Sequence, residues 1–247
     1  MTQRVKTMHC RVIALAVIVL SMAGCAAAPP LPPNVNTLDV LGPDSEFADA
    51  VAKRTLPATW SLNGQVHAGA LSIQSIDGLP ALHVTPGAHG FALIRNVRAP
   101  LLALPYLSWS WHVQTPKRGN HPVRLIIGLA DRTKAKPRAW WQISTDDASP
   151  VDRVITVMWG DTALKRGTVF GPARDEDGTE RGRYIARGGP EQGRQWWVDT
   201  IDLSLIHHQL WPNDTPGNID VHVIGIAVEA APHTDAPMNI ATLRLTH

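Results

Sequence analysis

Cysteine is nearly absent from these 247 residues, which hold only Cys10 and Cys25. Both lie in the first 25 positions, so the rest of the chain has no thiol for a disulfide, a catalytic nucleophile or a cysteine-based metal site. The familiar catalytic signatures are missing as well. There is no Gly-x-Ser-x-Gly elbow, no His-Glu-x-x-His pair and no glycine-rich phosphate loop after a strand. Of the eleven histidines, His207 and His208 are adjacent and point apart on a helix, so no metal and no cofactor is expected. Phenylalanine and tyrosine are scarce at three and two, against nine tryptophans. No apolar run approaches the roughly 20 residues that span a bilayer.

What is present first is an address. Arg4, Lys6 and Arg11 form a basic leader, Val12 to Leu20 an apolar run, and Ser21-Met22-Ala23-Gly24 a small-residue site ahead of Cys25. The segment resembles the lipobox of bacterial lipoproteins, with Met22 where leucine is usual. By that resemblance residues 1–24 are a cleaved signal and Cys25 is the lipidation site, acylated so that several chains hold the protein on a membrane. Ala26, rather than an aspartate, follows the cysteine. That resembles the pattern sent to the outer membrane, here expected on its periplasmic face.

Removing the leader changes the charge argument. Lys plus Arg falls from 23 to 20 against 21 acidic residues, so the mature chain is close to neutral at −1. A general positive field for nucleic acid is absent.

From Ala26 to Pro43 the chain is AAAPPLPPNVNTLDVLGP, a proline-rich composition read as a tether, so that residues 25–43 carry lipid and linker. Residues 44–247 then read as one domain. Short apolar runs with period-two alternation are separated by Gly, Pro, Asn and Asp. Ala70 to Ile76 and Ala81 to Thr85 flank Asp77-Gly78, a hairpin signal. Further strands are expected at 91–97, 106–114, 123–130, 140–144, 153–159, 183–187, 195–202, 221–229 and 241–246. About ten strands predict an all-β, jelly-roll-like β-sandwich. One short helix is expected at Ser204 to Trp211 and a second near Ser45 to Arg54.

Alternation assigns faces. Leu107, Trp109, Trp111 and Val113 share one side of their strand and Ser108, Ser110, His112 and Gln114 the other, so this tryptophan pair reads as core. Trp140-Trp141 and Trp196-Trp197 each put one ring on either face and are the better platforms for a sugar. Arg124 stands among apolar neighbours and needs a carboxylate or a ligand oxygen. If the strands carrying His112, Arg124, His222 and Glu229 share a face, they line a polar concavity. Asp146-Asp147, Asp175-Glu176-Asp177, Asp161, Asp199 and Asp202 are equal candidates for any acid pair.

The segments YLSWSWHV, PVRLIIGL, DRVITVMWG, TVF, RYIARGG, QWWVDTIDL and VIGIAVEA, in that order, are similar to a bacterial exported family known as domain of unknown function three-zero-four-seven. The resemblance runs from about Leu104 to the C terminus. It matches the family's Trp-x-Trp strand at Trp109 and Trp111, its following arginine at Arg124, a strand-closing tryptophan at Trp159, and a Gly-Ile-Ala strand at Gly225 to Ala227. Two acidic stretches of the family are replaced by Asn120-His121-Pro122 and by Glu229 to His233. The resemblance implies a sandwich and an envelope location and supplies no reaction.

Together these features describe a non-enzymatic, lipid-anchored envelope protein that binds a glycan or another envelope component, with Arg124, His112, Trp159 and Glu229 as candidate ligand residues. The alternatives are a polysaccharide hydrolase or lyase, which needs two facing carboxyls, and an envelope assembly subunit joined through a strand edge.

Overall fold

The computed structural model describes residues 36–42, 55–133, 151–176, 178–234 and 236–247. The expected leader with Cys25, the first part of the expected tether, the helix expected near Ser45 to Arg54, the strand expected at Trp140 to Ser144, and Asp146, Asp147 and Asp177 lie outside the described residues.

Thirteen strands follow in order among these residues: β1 (Thr37–Leu41), β2 (Trp60–Gly64), β3 (Leu71–Ile76), β4 (Leu79–Val84), β5 (Phe91–Pro100), β6 (Tyr106–Val113), β7 (Val123–Asp131), β8 (Arg153–Gly160), β9 (Val169–Arg174), β10 (Glu180–Gly188), β11 (Trp196–Asp202), β12 (Ile219–Val228) and β13 (Met238–Thr246). They form two sheets. The first runs β11-β6-β13-β4-β3 with β1 also on β13, and the second runs β2-β5-β12-β7-β8-β10-β9. The chain crosses repeatedly between the two sheets, which pack face to face as a jelly-roll-like β-sandwich.

Period-two burial builds the layer between the sheets. Leu107, Trp109, Trp111 and Val113 of β6 are fully buried, as are Val123, Leu125, Ile127 and Leu129 of β7. Trp109, Trp111 and Trp159 form an edge-to-face chain with centroids 5.3 and 5.4 Å apart, the geometry aromatic rings prefer. The hairpin β3–β4 turns on Asp77 (φ 51°) and Gly78 (φ 82°), two positive angles that an Asp-Gly pair adopts readily.

The helix α1 (Leu203–Leu210) begins on Asp202, whose carboxylate accepts from Leu205 N at 2.9 Å. It buries Leu203, Ile206, His207 and Leu210.

Three strands depart from the sequence expectation. Thr37–Leu41, placed in the tether by its prolines and asparagines, is β1 and pairs with β13. Val40 and Leu41 are buried, and that burial outweighs the loop-like composition around them. Thr37–Leu41 is therefore part of the first sheet and not of a tether. β2 is short, and β9 is mostly exposed and carries Gly171-Pro172, so neither shows an alternation long enough to read.

Candidate functional site

The outer face of the first sheet carries a polar row in register across five strands. Ser72 of β3 lies opposite His83 of β4, His83 opposite Asn239 of β13, Asn239 opposite His112 of β6, and His112 opposite Trp196 of β11. Side chains directly opposite one another share a face, so these five point the same way. They touch in sequence. His83 Nδ1 is 2.7 Å from Asn239 Oδ1. Asn239 Nδ2 donates to the His112 carbonyl at 3.4 Å and lies 3.5 Å from its Nδ1. The His112 and Trp196 rings are 5.7 Å apart.

Asn239 is 4% exposed and acts as a relay between the two imidazoles. Its side-chain oxygen faces His83 Nδ1 and its NH2 group faces His112, so one buried amide ties the two rings together and leaves the Nε2 side of each free of this contact. Farther along the same face, hydroxyls pair between strands: Ser110 with Thr242 at 2.7 Å and Ser108 with Thr200 at 2.8 Å.

This face is a groove rather than a flat surface. β11 and β3 stand at opposite ends of the sheet, four strand spacings or about 19 Å apart if the sheet were flat. Yet Trp196 Nε1 donates to the Ile76 carbonyl at 3.3 Å. The cause is visible in the pairing of β13. It holds β4 only through residues 238 to 240 and takes β1 as its neighbour from residue 243 onward. Beyond Leu82 the β3–β4 hairpin is released and arches over the outer face, so that its tip meets Trp196.

The sequence candidates are distributed over three places. His112 lies in this row. Arg124 is on the outer face of the second sheet, where it forms an ion pair with Glu229 just past the end of β12. His222 is on β12, in that second sheet. Trp159 is in the layer between the sheets, fully buried against Trp111. The structure brings Arg124 and Glu229 together and leaves His112 and Trp159 apart from them.

A third polar centre is inside the sandwich at its edge. Asp199 of β11 is 6% exposed; it accepts from Trp111 Nε1 at 2.9 Å and from Arg187 Nε at 2.6 Å, with Arg166 at 3.7 Å. A register shift in β10 between Ile185 and Arg187 turns Arg187 inward, as bulges do. Its guanidinium then stacks 3.6 Å above Trp197, whose Nε1 donates to the Gln192 carbonyl at 2.7 Å. Burial, with Asp199 adding to it and Arg166 opposing, raises the pKa of nearby Tyr184. The alternation Trp197, Asp199, Ile201 carries the signal that Asp199 is internal.

Three of the remaining acid candidates are engaged elsewhere. Asp161 meets Lys165 at 3.0 Å, Asp175 meets Arg181, and Asp202 caps α1. Among the described residues no group of three or more His, Cys, Asp or Glu is arranged to hold a metal ion. Among them, too, no helix is long and apolar enough to cross a membrane.

No family model matches this chain, and no curated protein does. Solved structures do share its outline. The family 11 carbohydrate-binding module of the cellulosomal cellulase Lic26A-Cel5E of Clostridium thermocellum is similar with a TM-score of 0.41 and 9% identity, over 86% of this chain and 95% of that one. Endoglucanase cel12A from Rhodothermus marinus gives 0.45 and 10%, over 86% and 98%. The xyloglucanase domain of NopAA from Sinorhizobium fredii, in complex with cellobiose, gives 0.41 and 15%, over 77% and 95%.

Proposed function

We propose that this chain is a lipid-anchored protein of the bacterial cell envelope, held through Cys25 at the periplasmic face of the outer membrane, that binds a glycan in the groove on the outer face of its first sheet. The observation that carries the binding reading is the row Ser72, His83, Asn239, His112 and Trp196. Sugars present hydroxyls that both donate and accept, beside flat patches of C–H. The row offers two imidazoles held by one amide, ending on an indole ring. It crosses five neighbouring strands, more positions than a single sugar ring would contact.

Binding is favoured over hydrolysis by where the acids go. A glycosidase needs two carboxyls about 5 to 9 Å apart across the scissile bond. The five residues of the row are hydroxyl, imidazole, amide and indole. Of the buried acids among the described residues, Asp199 and Asp220 each face an arginine, and Asp131 accepts from the backbone N–H and hydroxyl of Thr133.

A binding screen of glycans and peptidoglycan fragments on the detergent-solubilised full chain, with mass spectrometry of every positive, tests this reading. Intact bound sugar whose affinity falls at least tenfold in Trp196→Ala supports it. A cleaved product, or binding indifferent to both Trp196→Ala and Asn239→Ala, overturns it. For the anchor, Cys25→Ala is expected to leave the membrane pellet for the soluble fraction. Retention of that variant in the pellet would defeat the anchor alone.

A further inference from the structure

The outer face of the second sheet holds a different kind of recess. A cavity of about 210 Å³ is lined by Asn120, Met158, Lys165, Phe170, Arg183 and Ile185. Its floor is apolar and built by register. Met158 of β8 is opposite Ile185 of β10, and both are nearly fully buried. Phe170 of β9 is opposite Arg183 of β10, and the guanidinium carbon is 5.6 Å from the phenyl centroid.

The charge on this rim is not balanced locally. The neighbouring arginines each meet a carboxylate: Arg174 with Glu180, Arg181 with Asp175, and Arg124 with Glu229. Among the described residues no carboxylate is bonded to Arg183. Lys165, in the short helical turn Ala163–Lys165, pairs with Asp161 where both side chains are more than 40% exposed, a class of contact that water largely screens. The pKa of nearby Arg124 is lowered chiefly by burial, with the charge of Arg183 adding to it and Glu229 opposing. Asn120 accepts from Asp161 N at 3.0 Å through its side-chain oxygen, which leaves its NH2 as a donor.

Size narrows the ligand. At about 30 Å³ per water, the cavity holds about seven waters' worth of volume, below the roughly 300 to 1,000 Å³ of pockets that enclose drug-sized molecules. It accommodates one ring. We infer that this recess is a binding site for a single-ring organic acid, such as an acidic sugar. The carboxylate is held between Arg183 and Lys165, a hydroxyl meets the Asn120 amide, and the ring lies on Met158, Ile185 and Phe170. A planar guanidinium fork matches a carboxylate in two parallel hydrogen bonds, and the apolar floor rewards the ring and not a bare anion. The site is on the opposite side of the sandwich from the histidine and tryptophan row, and it stands or falls separately from the glycan groove.

Calorimetric titration of the full-length protein in detergent with glucuronic acid, glucose and inorganic phosphate tests it. Glucuronate is expected to bind at least tenfold more tightly than glucose or phosphate. Arg183→Met and Lys165→Met, both on the exposed rim, should each weaken it tenfold or more, about 1.4 kcal/mol, at an unchanged melting temperature. Trp196→Ala should leave it unchanged. Absence of saturable glucuronate binding overturns the inference. So does equal binding of glucose or phosphate, or wild-type affinity in both rim variants.

Discussion

Tryptophan and histidine do opposite work on the two sides of the first sheet. On the inner side Trp109 and Trp111 are buried without residual exposure and lock edge to face. Buried histidines also sit off this face: His121 accepts Val123 N on its Nδ1 at 3.0 Å, and His207 is on the buried side of α1. On the outer side Trp196 and His112 remain half exposed and meet only at 5.7 Å. Identical side chains therefore hold the molecule together on one side and stay partly open to solvent on the other. What decides is strand parity, which is a property of register and not of residue type.

The largest test of this contrast is truncation of the inner rings. Trp109→Ala should cost about 3 to 5 kcal/mol of stability, read by urea unfolding. Asp199→Ala, which strands the buried guanidinium of Arg187, should cost a similar about 3 to 5 kcal/mol. If Trp196→Ala costs as much as Trp109→Ala, the two sides are not distinct.

Acid should act from the inside next. The pKa of His121 is lowered from 6.5 to about 4, mainly by burial, with Arg124 adding and its hydrogen bonds opposing. That of His207 is lowered to about 4 by burial, against the pull of Asp214 and with Arg153 and His208 adding. Between pH 6.5 and 4 the unfolded chain therefore binds more protons than the folded one. The stabilisation is complete above about pH 6.5 and is lost as pH falls toward 4, by about 3 kcal/mol for His121. Urea midpoints at pH 7 and 4.5 measure it, and His121→Gln should flatten the slope.

The outer side predicts small costs in stability. Trp196→Ala gives up one indole hydrogen bond to the hairpin, about 1 kcal/mol, while lowering glycan affinity tenfold or more. Ser108→Ala, farther along the face, should stay within about 0.5 kcal/mol in thermal unfolding. A larger loss would mean that the paired hydroxyls are structural.

The strands with long alternation, such as β6 and β7, are legible in the sequence because each shows four buried residues at period two. β1, β2 and β9 are not, since five or six residues beside proline, asparagine or glycine resemble a loop until a partner strand covers them. The pairing of Arg124 with a carboxylate follows from its apolar neighbours, although not that the carboxylate is Glu229. The groove is less legible. Ser72, His83 and Asn239 are ordinary polar residues, and only the register between β4 and β13, more than 150 positions apart, puts them in one row with His112. The folded-over hairpin is likewise a consequence of β1 displacing β4 along β13, and β1 itself was hidden in linker-like sequence.

That displacement has a mechanical consequence. β1 is the first described strand, and Thr37 lies opposite Thr246 while Leu41 lies opposite Leu243. Tension entering from an anchor ahead of Thr37 would pull β1 lengthwise along β13, toward the end that carries Thr246. Antiparallel hydrogen bonds lie across the strands, so this ladder takes the load all at once in shear and does not open one bond at a time. The same strand carries Asn239 at its other end, in the groove. Were the chain anchored ahead of Thr37 and a polymer held at the Asn239 row, as proposed, a pull between them would travel along β13, with β1 as the point where the load enters the sheet.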